Sequence, residues 1–270
     1  GTTTKSFTRN ALWSSSQSVL GARFASGTGH YLFFEGEVAE AVVYNEELNS
    51  ASYNIVSNSL AAKYNVSTTP DLYAYEGSHN HAVKGIGQES DGSNTTARGN
   101  DFLEISNASS LGDGDYLLVG HDNGGYAVSA SVPAGVVERW TQVWRADVTG
   151  SPGTISVEFF LDAGSFASPA NYAVIIESAD GDFSNGGTVT HETGRSYNAI
   201  DNSITFTGLT LADGDYFTLA ELVSDITTDQ AGPWNNVNTW SCGCIPGATD
   251  AVEVDHDVTI SAEAEILNLT

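Results

Sequence analysis

Val136-Val137-Glu138-Arg139-Trp140-Thr141-Gln142-Val143-Trp144-Arg145-Ala146-Asp147-Val148 is the stretch that decides the reading of this chain. In extended backbone, successive side chains point to opposite faces. Trp140, Gln142, Trp144, Ala146 and Val148 then share one face, and Val137, Arg139, Thr141, Val143 and Arg145 share the other. Two indoles on one face bury on the order of 150–250 Å² each. No other segment offers as much apolar area at strand spacing, so this one reads as the central strand of a β-sandwich. Working outward, Phe102–Ile105, Tyr116–Val119, Thr154–Leu161, Tyr172–Glu177, Ile204–Thr207 and Tyr216–Leu222 have the same β-rich character, with turn residues between them. The total suits a sandwich.

Composition agrees. Acidic residues outnumber basic ones 34 to 9, for a net charge of −25 over 270 residues. That excludes a general nucleic-acid binder, which needs a basic face. It favours solubility and an affinity for hard cations such as Ca²⁺. Gly, Ser, Thr, Asn and Asp are abundant, Lys is scarce and Met is absent. This points to a mainly β, secreted protein, extracellular or on the cell surface, with many tight turns. The lack of Met and of an apolar leader suggests a mature fragment. No apolar run reaches the ~20 residues of a membrane helix. Cys242 and Cys244, one residue apart, cannot staple the body of the fold. They read as a small strained disulfide, free thiols or metal ligands.

The chain divides into residues 1–66, a link over 67–90, a main β module over 91–222 and a further β segment over 223–270. In the first, Leu20–Phe24 and His30–Phe34 are short strands, and Phe34–Asn45 is a strand partly apolar on both faces, hence buried. One amphipathic helix follows, about 49–64. Asn49 caps it, Tyr53, Val56, Leu60 and Tyr64 with Ile55 form its apolar face, and Asn65, Ser67 and Pro70 end it. The link is loop-rich and holds His79, His81 and Lys84-Gly85-Ile86-Gly87-Gln88-Glu89.

Three motifs carry resemblances. Gly36-Glu37-Val38-Ala39-Glu40-Ala41-Val42-Val43-Tyr44-Asn45-Glu46-Glu47-Leu48, with a helix closing in Leu60-Ala61-Ala62-Lys63-Tyr64, resembles the C-terminal end of a laminin-G/concanavalin-A-like lectin module. The form with that helix is similar to large secreted surface proteins, adhesins, of Bacteroidota. The resemblance covers about residues 20–65 and transfers no sugar- or calcium-binding loop. The Gly85-Ile86-Gly87-Gln88 run, Asp115–Asp122, Arg139-Trp140 with Trp144, Ser178–Ser184 and Asp213–Leu219 together resemble, over about residues 85–222, a β-sandwich module that follows the lectin-like piece in such proteins. The pattern around Trp234, Trp240, Pro246 and Val258 resembles the opening of a parallel β-helix or similar solenoid.

Asp-Gly-Asp occurs three times, at Asp113–Asp115, Asp180–Asp182 and Asp213–Asp215. Alternate carboxylates with a flexible glycine between them suit one Ca²⁺. The same tripeptide also suits a tight turn, with positive φ at Gly and Asp bonding its own backbone. Asp180 and Asp182, followed by Phe183-Ser184-Asn185, are the better calcium candidates. His79 and His81 would share a strand face and suit a metal, though no third ligand is evident. Glu104, Glu138, Glu158 and Glu177 are acids of the type glycoside hydrolysis needs, but no motif pairs them. Nucleophile elbows, phosphate loops and zinc-helix motifs are absent.

The leading expectation is a non-enzymatic structural or adhesive segment of a secreted cell-surface protein. Incomplete sheet edges would let it pair with other protein chains, as a filament or as domains of the parent chain. It would insert in no membrane and bind no nucleic acid. The alternative is a carbohydrate-binding module of a polysaccharide-processing protein, with Trp13, Trp234 and Trp240 as exposed stacking faces for glycans.

Overall fold

A computed structural model of the chain describes residues 23–25, 29–31, 33–163, 171–185, 188–223, 225–241, 245–246 and 251–260. Residues 1–46 and 47–270 form two compact units. In the first, β1 (Arg23–Ala25) and β2 (Gly29–Tyr31) pair antiparallel. Residues 33–46 form no regular element, and Val38, Val42 and Val43 are exposed. The buried strand expected over Phe34–Asn45 is therefore absent. Alternating apolar residues make a strand only where a neighbouring ladder takes their backbone hydrogen bonds.

The second unit begins with α1 (Ser50–Tyr64). Asn49 caps it as expected, accepting from the Ser52 N–H at 2.8 Å. Asp91 takes the Ser50 N–H and hydroxyl. Asn65 ends the helix in left-handed backbone. The buried face is not the expected aromatic one. Ala51, Ile55, Asn58, Ala61 and Ala62 are buried, while Tyr53 is 51% exposed. Small residues let the helix lie close on a sheet, and the tyrosines reach water.

The body is a two-layer antiparallel sandwich. Its strands are β3 (His81–Glu89), β4 (Gly92–Asn94), β5 (Thr96–Arg98), β6 (Leu103–Ser106), β7 (Tyr116–His121), β8 (Val128–Ser129), β9 (Val136–Trp140), β10 (Trp144–Thr149), β11 (Ile155–Phe160), β12 (Tyr172–Glu177), β13 (Val189–His191), β14 (Ser196–Asn198), β15 (Ser203–Leu209) and β16 (Tyr216–Leu222). The larger sheet runs β13-β12-β16-β10-β7-β3-β4, with β9 beside β16 and β8 beside β9. The smaller runs β14-β15-β11-β6-β5.

Their facing sides bury Trp140, Trp144, Phe159, Phe206, Phe217 and the aliphatic residues around them. The larger sheet is covered on its outer face too. α1 and Leu72–Tyr73 lie over Val83, Tyr116 and Leu118, and Phe183 with Val136 and Val143 lies over Ile175 and Ala220. Two covered faces account for the continuous apolar runs of β7 and β12. The helix was grouped in sequence with the strands before it; it packs on the sandwich.

The central stretch is not one strand. It breaks at Thr141–Val143 into β9 and β10. Arg139 opposes Ala220 and Trp144 opposes Phe217, so residues 140–143 face only 218–219 across the ladder. Two extra residues are an even number, so alternation survives the bulge. Trp140, Trp144 and Ala146 point inward and Val143 outward. Thr218 fills the gap, its hydroxyl donating to the Gln142 carbonyl at 2.7 Å.

Nor is 67–90 a link throughout, because residues 81–89 are the nine-residue β3. Gly85 and Gly87 made it look like part of a loop-rich link, yet they serve close packing. A Cβ on Gly87 would run into the Tyr116 ring, and one on Gly85 into the Leu117 carbonyl and the Leu118 side chain.

Beyond β16, β17 (Asp225–Thr227) pairs parallel with β19 (Ala251–Glu253), and β18 (Gly232–Pro233) with β20 (Val258–Thr259). They enclose Ile226, Trp234, Trp240 and Val252. Among the described residues no helix is long and apolar enough to cross a membrane.

Candidate functional site

The sandwich core contains a charged pair. Lys84, midway along β3 in the larger sheet, and Asp101, in the loop between β5 and β6 of the smaller sheet, form a salt bridge through Oδ2. Their side chains are 8% and 1% exposed. Trp144 Nε1, from β10, donates to the same Oδ2 at 2.8 Å. Three elements from both sheets thus meet at one carboxylate oxygen. The other oxygen, Oδ1, is buried with no hydrogen-bond partner. Gly99 lies over the pair: a Cβ there would come within 2.6 Å of Oδ1 and 3.3 Å of the Lys84 Nζ.

Histidines border this cluster. His121, at the end of β7, packs against Trp144 at 6.2 Å and stacks on His81 at 5.6 Å. Its Nδ1 accepts from the Asn123 N–H at 3.0 Å. Burial pushes the His121 imidazole down to about 4, with Asp101 pulling upward and Lys84 and His81 adding to the fall. Burial also lowers the Lys84 ammonium from its ordinary value, opposed by Asp101.

Two non-glycine residues beside the pair have left-handed backbone, Ala82 (φ 48°) and Phe102 (φ 58°). Such conformations cost on the order of 1–3 kcal/mol and persist where their surroundings over-determine them. Ala82 lies at the register shift between His81 and Lys84, and Phe102 directly follows Asp101.

Sequence reasoning noted Lys84 only as part of a glycine-rich run and did not single out Asp101. No local signal joins them, since the pair exists only once two sheets face each other. A lysine in a nine-residue β-run, followed 17 residues later by an aspartate before an apolar strand, was the available hint.

The expected site residues lie elsewhere. The three Asp-Gly-Asp tripeptides are turns, with Gly114, Gly181 and Gly214 at φ near +80°. Asp115 accepts the N–H groups of Gly112 and Ser151. Asp213 accepts the Tyr75 hydroxyl and Asp215 the Ala212 N–H and Ser178 hydroxyl. Asp180 accepts the Asp182 N–H, and Asp182 the Ser184 N–H and hydroxyl. Asp113 takes the Gln88 amide at 3.2 Å. Asp115, Asp180, Asp182 and Asp215 close their own turns, Asp113 and Asp213 tie theirs to distant residues, and no three His, Cys, Asp or Glu side chains converge for a metal among the described residues.

His79 and His81 do not act as a pair. His79 is buried against the Tyr216 ring at 5.4 Å, and His81 is exposed on His121.

Of the four glutamates, β-pairing sets Glu104 opposite Glu158. They line an open groove on the smaller sheet with Arg98, Phe160, Asp162 and Asp201, and Arg98 stacks on Phe160 at 3.6 Å. Glu138 opposes Glu221. Glu177 is fully buried and accepts the N–H groups of Ala179, Asp180 and Gly181 at 2.6–2.9 Å, so it anchors a turn.

Trp234 and Trp240, read as exposed sugar platforms, are instead 9% and 1% exposed. They meet edge-to-face at 4.7 Å, and Trp240 Nε1 donates to the Trp234 carbonyl at 2.7 Å. A short turn-rich segment has to bury its largest side chains to hold any shape at all. Trp13, Cys242 and Cys244 lie outside the described residues.

No curated protein and no solved structure matches the chain. One family model does, over residues 52–215, from within α1 to the turn before β16, a span that includes Lys84, Asp101 and Trp144. The chain therefore belongs to the family described as Domain of unknown function (DUF8202).

Proposed function

We propose that this protein is a non-enzymatic structural or adhesive segment of a secreted surface protein, and that its sandwich carries load. The observation behind this reading is the Lys84–Asp101–Trp144 cluster, which ties both sheets together inside the core. A sandwich under tension fails when its sheets part or a strand is peeled off. A charge-assisted bond between the sheets, shielded from water, resists that parting more strongly than apolar contact alone.

The acidic surface, at net −25, keeps such a segment soluble. The outer strands of the sandwich, β4, β5, β13 and β14, are each three residues long. Short edges blunt strand-to-strand pairing.

Pulling the chain between its ends, one molecule at a time, tests the reading. Asp101→Ala is expected to lower the rupture force of the sandwich clearly. An Asp101→Ala protein that folds and ruptures at the original force overturns the load-bearing role.

A further inference from the structure

We propose that Lys84 and Asp101 join through an intramolecular amide, an isopeptide cross-link between the two sheets; this rests on the load-bearing reading above and gives it a chemical form.

The geometry supplies what the condensation needs. The nucleophile and its target are in direct contact and nearly free of solvent. Water drives amide hydrolysis, so its exclusion favours the condensed form. Holding the two groups together replaces a bimolecular encounter with an intramolecular one, which is worth several orders of magnitude in rate.

The two oxygens of Asp101 are also differentiated. Oδ2 accepts from Trp144 Nε1, a fixed donor positioned to stabilise the negative charge that grows on Oδ2 as nitrogen adds to Cγ. Oδ1 has no partner and is free to leave. Burial lowers the Lys84 ammonium, which favours the neutral amine that attacks. The left-handed residues Ala82 and Phe102 hold the two segments where they present these groups.

The step balances without any co-reactant. The Lys84 ammonium gives one proton to the carboxylate through its contact with Oδ2 and becomes an amine. Its nitrogen forms a bond to Cγ; in that adduct Oδ1 takes the proton from Oδ2 and a second one from the nitrogen, the Cγ–Oδ1 bond breaks, and Oδ1 departs as water. Ammonium plus carboxylate gives a secondary amide plus one water. Oδ2 stays as the amide carbonyl and keeps its bond from Trp144.

Intact-mass measurement of the full chain after denaturation tests the proposal, followed by proteolysis and peptide mapping. The expected mass is that of the sequence less one water, with Lys84 and Asp101 in one branched peptide. Lys84→Arg and Asp101→Ala should each restore the full mass. The wild-type chain is decisive even if both variants fail to fold. A wild-type chain that keeps its full mass after prolonged incubation at neutral pH overturns the cross-link. So does a water loss that persists in Lys84→Arg, since it would then lie in an Asp-Gly turn.

The two readings fail separately. Full mass with a force loss in Asp101→Ala leaves a non-covalent load-bearing clamp. A cross-link whose removal leaves the rupture force unchanged leaves the bond and removes its mechanical role.

Discussion

Two buried tryptophan pairs stand in different surroundings. Trp140 and Trp144, 6.3 Å apart, lie in the main core among Phe159, Phe206 and Phe217. Trp234 and Trp240, 4.7 Å apart, hold together short parallel ribbons with Ile226 and Val252. In each pair one indole N–H is buried and satisfied. Trp240 gives its N–H to a backbone carbonyl six residues away; Trp144 gives its own to the carboxylate of Asp101, which also holds Lys84. A neutral, local bond fixes the shape of a segment. A charged bond between distant elements joins layers and brings reactive groups together. The comparison shows that the partner of an indole N–H, more than its burial, separates a local knot from a tie between the two sheets.

The largest test of this contrast removes the charge. Asp101→Ala leaves Lys84 buried without its partner, and breaking a buried pair on one side costs about 3–5 kcal/mol. Denaturant unfolding followed by tryptophan fluorescence should show that loss; a cost under ~1 kcal/mol would mean that the pair contributes little in the folded state.

The next test exchanges each donor indole for a ring without N–H. Where Asp101 is a free carboxylate, Trp144→Phe forfeits a bond to a charged group, about 1.5–3 kcal/mol, and Trp240→Phe a neutral one, about 1 kcal/mol. Hydrogen exchange should place the second loss within 225–260 and the first across the sandwich. Equal costs in both regions would dissolve the distinction.

The third test is acid sensitivity, which belongs to the sandwich through its histidines. His121 is held neutral by burial, with a folded value of about 4 against an ordinary 6.5, and burial lowers His79 too. A histidine with a depressed folded value binds its proton more readily when unfolded. Stability is therefore intact above pH ~6.5 and falls as pH drops toward ~4, by on the order of 1–2 kcal/mol from His121. His121→Asn should flatten that slope in an unfolding series from pH 7 to 4, and an unchanged slope would shift the effect to other groups.

Parts of this architecture were legible residue by residue. Trp140 and Trp144 lie in the core because indoles at strand spacing have no better place to go. Asn49 caps α1 because a short side-chain oxygen before a helical run meets an unpaired N–H. Each Asp-Gly-Asp closes a turn because glycine takes positive φ and aspartate bonds nearby backbone. These are local effects, settled over a few residues.

Other parts became visible only through packing. β3 was read as loop-rich link although its Gly85–Gln88 run resembled part of the sandwich module, because the role of Gly85 and Gly87, admitting Tyr116 and Leu117–Leu118, appears only on packing. The face α1 buries was set by the sheet beneath it, which selected alanines over tyrosines. Trp234 and Trp240 were buried by ribbons that pair over 20 residues apart.

By itself, then, the sequence determined that the chain is mainly β, strongly acidic and organised around an indole-bearing rib, because composition and alternation act through the nearest neighbours. Only the tertiary structure decided that Lys84 meets Asp101 under Trp144. That meeting depends on the facing of two sheets, and the pattern along any single strand carries no information about which residue will stand across the layer.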